Sequence, residues 1–302
     1  MPSYRGRFAP SPTGLLHFGS LVAAVASYLD ARRAGGEWLI RMEDLDRPRE
    51  VAGSADAIVQ SLESLGFDWT ESIVRQSERT ELYQAALDRL LATDLAYPCS
   101  CSRADIQQAQ STSPADGEEL RYPGWCRVEP RFPDRPLAIR LRVPPTEIAF
   151  DDRIQGRIRV DVAAEVGDFV IRRRDGLFAY QLAVVVDDHA QGITHVVRGA
   201  DLLHSTPRQI LLQQCLGLPT PEYAHVPVAT DLNGIKLSKS AGAAAVDLTR
   251  PGEELWRALL FLRQSPPQDL RRAEPATLWN WATEHWRLDP LHSGLSAPAP
   301  SM

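Results

Sequence analysis

The sequence predicts an α/β fold, a parallel sheet with crossover helices. Three observations carry that prediction. A strand, a Pro-rich loop and a helix follow one another over residues 4–36, strand and helix patterns keep alternating after them, and the composition supports a large core. The chain has 302 residues, 44% hydrophobic and 24% charged, enough for one large or two medium domains. A formal net charge of −6 excludes a uniformly basic nucleic-acid surface, so any RNA contact must use local patches. There is no signal peptide and no apolar run long enough to span a membrane, so a cytoplasmic enzyme is expected.

The first strand is Tyr4 to Phe8. The stretch Arg7 to Ser20, RFAPSPTGLLHFGS, reads as a phosphate-handling loop, because helix N–H groups at the end of such a loop face an anion. Pro10, Pro12 and Gly14 stiffen and turn it, while Thr13 and His17 supply polar tips. Leu21, Val22, Val25, Tyr28 and Leu29 recur at helical spacing until Gly35 and Gly36 end the run. Neither G-x-G-x-x-G nor Walker A occurs, so dinucleotide and P-loop readings have no support. Trp38 to Met42 reads as a second strand running into an acidic turn. Ligands sit at strand ends in open α/β sheets, so Glu43, Asp44 and Asp46 are candidates for a cationic group. An acidic turn approaching a helix is the commoner meaning of such residues. Helices follow at Ser54 to Leu65, stopped by Gly66, and at Glu78 to Leu95, with Ser77 as N-cap.

Composition changes at Tyr97. Cys99 and Cys101 form a C-x-C pair, and Cys126 follows a polar loop. In a reducing compartment clustered thiols suggest metal before disulfide. Zinc wants four ligands, three cysteines leave one place open, and no histidine lies between Cys99 and Cys126. Three reduced cysteines in a small loop domain is the other reading. Cys215, on an apolar helical face, reads as core.

Leu137 to Pro144 and Ile148 to Asp161 read as strands, with a turn near Gln155 and Gly156. Asp168 to Asp188 holds another hairpin, turning at Asp175 and Gly176, then a helix from Tyr180 to Val186 followed by Asp187 and Asp188. The run Arg172, Arg173 and Arg174 could face an RNA, though a solvated strand edge is the commoner meaning. A further strand brings Arg198 to its C-terminal end. His189, His195, His204 and His225 form no metal spacing and read as structural or exposed. Two Trp-rich amphipathic helices precede a Pro/Ser-rich end from Leu291 that reads as disordered.

RFAPSPTGLLHFGS, with His17 to Ser20 at the HIGH tetrapeptide, resembles the first signature of class I glutamyl-tRNA synthetases, and KLSKS at Lys236 to Ser240 resembles their KMSKS loop. RMEDLD from Arg41 and VVRGAD from Val196 are similar to the family's RIEDTD- and VIRGED-type segments. The resemblance covers nearly the whole chain except about the last dozen residues. It departs at Ser20, where HIGH has its second histidine.

The resemblance implies a class I synthetase-like Rossmann domain with a zinc-bearing insert and a short helical tail. Residues 1–96 would be the first half of the catalytic domain, 97–161 the insert, 162–245 the second half with the KLSKS loop, and 246–302 the tail. It implies one structural Zn2+ on Cys99, Cys101, Tyr122 and Cys126, Tyr122 matching the family's C-x-C…Y-x-x-x-C pattern. It implies ATP, with Mg2+, held by Thr13, His17, Gly19, Ser20, Lys236, Leu237, Ser238, Lys239 and Ser240. His17 and Lys239 would be the catalytic pair, holding phosphate oxygens and neutralising the leaving pyrophosphate. Glutamate would be bound by Arg7, Phe8, Ala9, Pro10, Ser11, Glu43, Tyr180 and Arg198. Two carboxylates need cations and one ammonium needs an anion, and arginine is the bidentate partner of a carboxylate. Arg7, Arg198 and Glu43 at predicted strand ends meet that need, and Asp44 and Asp46 are left as structural.

Only the stretch Ala241 to Met302 follows KLSKS, whereas a full glutamyl-tRNA synthetase reads the anticodon with a large C-terminal region. The resemblance therefore implies a short family member. It would be a monomer that activates glutamate with ATP without tRNA and esterifies it onto queuosine at the wobble position of tRNA(Asp), whose anticodon arm occupies the groove. A truncated ordinary glutamyl-tRNA synthetase and a non-catalytic RNA-binding paralogue are the alternatives.

Overall fold

The computed structural model describes residues 3–109, 120–231, 233–237, 244–291 and 294–300. Strand β1 (Arg5–Phe8), helix α1 (Phe18–Arg33) and strand β2 (Glu37–Met42) form the first unit, with β1 and β2 parallel and Arg7 opposite Leu39. Gly36 has no room for a side chain, since a Cβ there would sit 2.3 Å from the Tyr4 carbonyl oxygen. Helix α2 (Ser54–Ser64) crosses over to β3 (Val74–Arg75), which extends the parallel set beside β2, and α3 (Thr80–Ala92) follows. Ser77 does not cap α3. It lies in a 3-10 turn, Gln76–Glu78, and gives both its N–H and its hydroxyl to Asp44 at 2.8 Å. Arg79 holds the N-cap position instead. Asp44 is thus spent on local structure, as expected.

Next come β4 (Ala96–Cys99), α4 (Arg103–Ala109), β5 (Ala138–Leu141), the hairpin β6 (Glu147–Asp152) and β7 (Gly156–Asp161), α5 (Val162–Glu165) and β8 (Val170–Arg172). Strands β4, β5 and β8 make a small antiparallel sheet. The turn at Asp175–Gly176 closes, with Gly176 at φ +88° and the Arg173 N–H on the Leu177 carbonyl at 2.8 Å. Its return strand is reduced to one bridge, Arg172 with Phe178, because the chain enters α6 (Tyr180–Ala190). That helix runs on through Asp187 and Asp188.

Strand β9 (His195–Gly199), α7 (Thr206–Leu216), β10 (Glu222–Val226), β11 (Val228–Thr230), α8 (Pro251–Phe261), α9 (Pro275–His285) and β12 (Ser296–Pro298) complete the chain. A second sheet has the order β7-β6-β10-β9, so the β6–β7 hairpin belongs to this layer and not to the small sheet. The two layers abut where the Thr194 N–H reaches the Arg5 carbonyl at 2.9 Å. Strand β2 is buried on both faces, as parallel strands are. Trp38, Ile40 and Met42 pack with α1, α2, α8 and α9, while Leu39 packs with α3, α6 and α7.

Residues 294–300 correct the expectation of a disordered end. Strand β12 pairs in parallel with β11, Val228 opposite Ser296, and the Ala299 N–H donates to the Thr230 carbonyl at 2.8 Å. Among the described residues no helix is long and apolar enough to cross a membrane.

Candidate active site

The loop after β1 is tied down from both sides. The Pro10 carbonyl accepts the Glu43 N–H at 2.9 Å, and the Pro12 carbonyl accepts the Val51 N–H at 3.0 Å and the Ser54 hydroxyl at 2.5 Å. Proline fixes the backbone and those carbonyls clamp it to β2 and α2, so the loop is held open over the sheet edge. Beneath it lies a cleft of ≈ 860 Å³. Arg7 and Phe8 line it from β1, Ala9, Pro10, Ser11 and Thr13 from the loop, and His17, Gly19 and Ser20 from the start of α1. Glu43, Tyr180, Arg198, Lys236 and Leu237 line it from the other elements. Lys239, Ser238 and Ser240 lie outside the described residues.

His17 is the N-cap of α1. Its Nδ1 accepts the Ser20 N–H at 3.3 Å and its Nε2 lies 3.0 Å from the Ser20 hydroxyl. Position 20, where the motif departs, therefore orients the His17 ring. A side chain at Gly19 would be tight: a Cβ there would meet the Leu237 carbonyl oxygen at 3.1 Å and the His17 ring at 3.3 Å, so a neighbour would have to give way. The first turn of α1 and the entry to KLSKS thus share one narrow wall. Leu237 N–H donates to Ala229 O at 2.8 Å, and Lys236 pairs with Asp201 at 2.6 Å.

Beside the loop after β1 sits a buried ionic cluster that the sequence shows only in part. Arg41 is fully buried and stands 2.8 Å from Asp188, 3.6 Å from Glu43 and 3.8 Å from Asp187. Asp188 also takes the Arg7 Nε at 3.1 Å, and Asp187 takes Arg79 at 2.6 Å, Gln76 at 2.7 Å and the Tyr83 hydroxyl at 2.8 Å. Burial opposes the charge on Asp188, but Arg7 and Arg41 overcome it and hold its carboxyl below the usual range. Glu43 has no partner as close. Burial pushes its carboxyl up to about 7, against the pull of Arg41 and Arg7.

Arg198 is gripped on every side. It donates to His225 Nε2 at 3.0 Å, to the Tyr180 hydroxyl at 3.3 Å, and to Thr206 and Gln209 at 2.9 Å each. Tyr180 and Arg198 thus meet as the sequence suggests. Arg41, Asp187, Asp188, Thr206, Gln209 and His225 were missed as site residues. One signal was available for the acids: two aspartates ending an apolar helical run must find buried cations. His225 is buried and structural, and it touches Arg198. The run Arg172 to Arg174 is used internally: Arg173 pairs with Asp46 at 3.5 Å and Asp175 at 2.6 Å, and Arg174 bonds the Ser100 carbonyl.

The thiols of Cys99, Cys101 and Cys126 are buried and all within 4.8 Å of one another. The Cys101 and Cys126 sulfurs are 3.6 Å apart, close to the edge of about 3.8 Å of a sulfur tetrahedron around zinc. The Tyr122 hydroxyl lies 3.6 Å from the Cys101 sulfur. Burial works against a thiolate at Cys126, yet hydrogen bonds from Tyr122 and from the Arg131 and Ser100 backbone bring it down to about 6. The Arg140 Nε stands 3.2 Å from the Cys99 sulfur. The donor set fits a soft divalent metal ion. Among the described residues, none of its contacts is to the cleft residues named above.

The chain matches the model of class I tRNA synthetases (E and Q), catalytic domain, over residues 3–257. It is 56% identical over 298 residues to the glutamyl-Q tRNA(Asp) synthetase of Dechloromonas aromatica (strain RCB), covering 98% of this chain and 99% of that one. The protein of the same name from Geobacter sulfurreducens is 58% identical, with 93% and 91% covered. Among solved structures, glutamate-tRNA synthetase from Elizabethkingia anophelis superposes with a TM-score of 0.82 at 27% identity, over 99% of this chain and 68% of that one. A glutamate tRNA ligase from Elizabethkingia meningosepticum in complex with its amino acid gives 0.80 at 28% identity, over 99% and 67%. The family model covers most of the chain, and the relatives at 56% and 58% identity match it along nearly its whole length, so the chain belongs to the class I (E and Q) tRNA synthetases.

Proposed function

We propose that the chain activates glutamate with ATP and transfers it to queuosine at the wobble position of tRNA(Asp). The observation that carries the reading is one cleft lined at one end by Arg7, Arg198 and Glu43 and at the other by His17, Ser20 and the entry to KLSKS. The first end matches an amino acid with two carboxylates and one ammonium. Arg198 and Arg7 take carboxylates and Glu43 takes the ammonium. The second end holds phosphates against the start of α1.

A carboxylate oxygen of glutamate attacks the α-phosphorus of ATP. The bond to the bridging oxygen breaks and pyrophosphate leaves with Mg2+, which arrives as part of the substrate. Lys239 neutralises the charge on that leaving group. A hydroxyl of the queuosine cyclopentenediol then attacks the adenylate carbonyl, and AMP leaves. In this reading the chain works as a cytoplasmic monomer. The names of the relatives at 56% and 58% identity support the choice of acceptor.

Incubation with labelled glutamate, ATP and queuosine-containing tRNA(Asp), followed by nuclease cleavage, tests this. Label is expected on the anticodon fragment, with pyrophosphate exchange in the absence of tRNA and no transfer to tRNA(Glu). Label on the 3′-terminal adenosine would replace the reading by ordinary aminoacylation.

Cys99, Cys101, Cys126 and Tyr122 hold one zinc ion in this reading, which cross-links β4 to the loop before β5. About one zinc per chain is expected in protein prepared without chelators. Cys101→Ser should lower that occupancy while glutamate-dependent pyrophosphate exchange persists. Metal analysis that finds none removes the site.

A further inference from the structure

The geometry points to Asp152 and His225 as positioning residues for Arg198, a buried carboxylate–imidazole relay that fixes the guanidinium where it meets a glutamate carboxylate. The inference rests on the reading of Arg198 as a carboxylate ligand. The three residues come from three neighbouring strands, β6, β10 and β9, so the sheet itself sets their spacing. The side chains of Asp152 and His225 are wholly inaccessible.

The hydrogen bonds leave one consistent arrangement. A guanidinium N–H only donates, so the Arg198 Nε at 3.0 Å makes His225 Nε2 an acceptor. The ring proton is then on Nδ1, where it faces Asp152 Oδ2 at 2.6 Å. Asp152 is itself fixed, because its Oδ1 accepts the N–H groups of Ile154 at 3.0 Å, Gln155 at 2.8 Å and His225 at 3.1 Å. Burial, with Arg198 adding to it, brings His225 down to about 4 despite Asp152, so the imidazole stays neutral beside the arginine. A histidine that merely filled space would have no need of a fixed tautomer. Here the tautomer decides whether Arg198 meets an acceptor or another N–H.

Asp152→Asn tests the relay with almost no change of shape. Three backbone donors hold the amide oxygen at the Oδ1 place, so the amide NH2 opposes Nδ1 and drives the ring proton to Nε2, as happens when the aspartate of a catalytic triad becomes asparagine. In glutamate-dependent pyrophosphate exchange, the KM for glutamate is expected to rise about tenfold or more, with the KM for ATP unchanged. His225→Gln, whose oxygen reaches the Nε2 position, should keep most of the glutamate affinity, and His225→Leu should not. A role in packing alone would rank these variants by melting temperature, not by glutamate KM. Arg198→Ala is the companion measurement. If it raises the glutamate KM while folded Asp152→Asn and His225→Leu stay within twofold of wild type, the relay is wrong. If Arg198→Ala itself leaves that KM unchanged, the carboxylate role of Arg198 fails and the relay falls with it. Should Asp152→Asn not fold, the contrast between His225→Gln and His225→Leu decides alone.

Discussion

Replacing Arg41 by methionine is expected to lower stability by about 3–5 kcal/mol, the scale on which removing one side of a buried ion pair destabilises a protein. Arg41 is 0% exposed and faces three carboxylates, those of Asp188, Glu43 and Asp187. Methionine fills much the same volume, so cavity formation contributes little. What remains is negative charge without its counter-ion. Asp188 keeps Arg7 and Asp187 keeps Arg79, so Glu43 loses the most and should titrate still higher. Urea unfolding of both chains measures the effect. A loss under about 1 kcal/mol, the scale of an exposed pair, would mean that water reaches these carboxylates.

The second large effect is on substrate capture and pH. Glu43 is held at about 7 in the free chain, so it is largely protonated in mild acid. In the proposed reading Glu43 meets the ammonium of glutamate, and only its carboxylate form can pair there. Catalytic efficiency toward glutamate should therefore fall about tenfold per pH unit below about 7, since kcat/KM reports groups of the free enzyme. The turnover number should stay flatter, because the bound ammonium favours the charged form. Glu43→Gln should remove this acid limb and lower efficiency throughout. An acid limb that persists in that variant would assign it to another group. Stability moves oppositely: a carboxyl raised on folding costs the folded state as pH climbs from about 4.5 to 7, so the ligand-free chain should be firmer in mild acid.

Much of the site was legible because its residues sit where strand meets loop. Arg7 and Arg198 are each the last residue but one of a strand and Glu43 follows the last residue of β2, so the strand pattern gives their depth in the fold. The partners beneath them were not legible. Asp187 and Asp188 lie far along the chain from Arg41, and only the packing of α6 against β2 and α3 brings them together. His225 looked ordinary because its meaning depends on Asp152 and Arg198 on the two flanking strands. Ser77 read as a cap by its spacing, but Asp44 offered it a better partner. The Pro/Ser-rich end failed for a related reason: composition speaks for an isolated segment, and β11 supplies hydrogen bonds that composition cannot show.

That last pairing has a temporal side. Strand β11 leads toward Lys236 and Leu237 of the cleft, and its sheet partner β12 begins 68 residues after β11 begins. At roughly 5–20 residues per second of synthesis, the wait is about 3–14 s. Trp286 bonds Asp30, which Tyr4 and Arg153 also hold, so late-made residues lock down the earliest-made helix. During translation the strands that bring Arg7, Glu43 and Arg198 together are made well before β11 has its sheet partner. A ribosome stalled just before residue 296 would therefore present a nascent chain in which those strands are made and β11 still lacks β12.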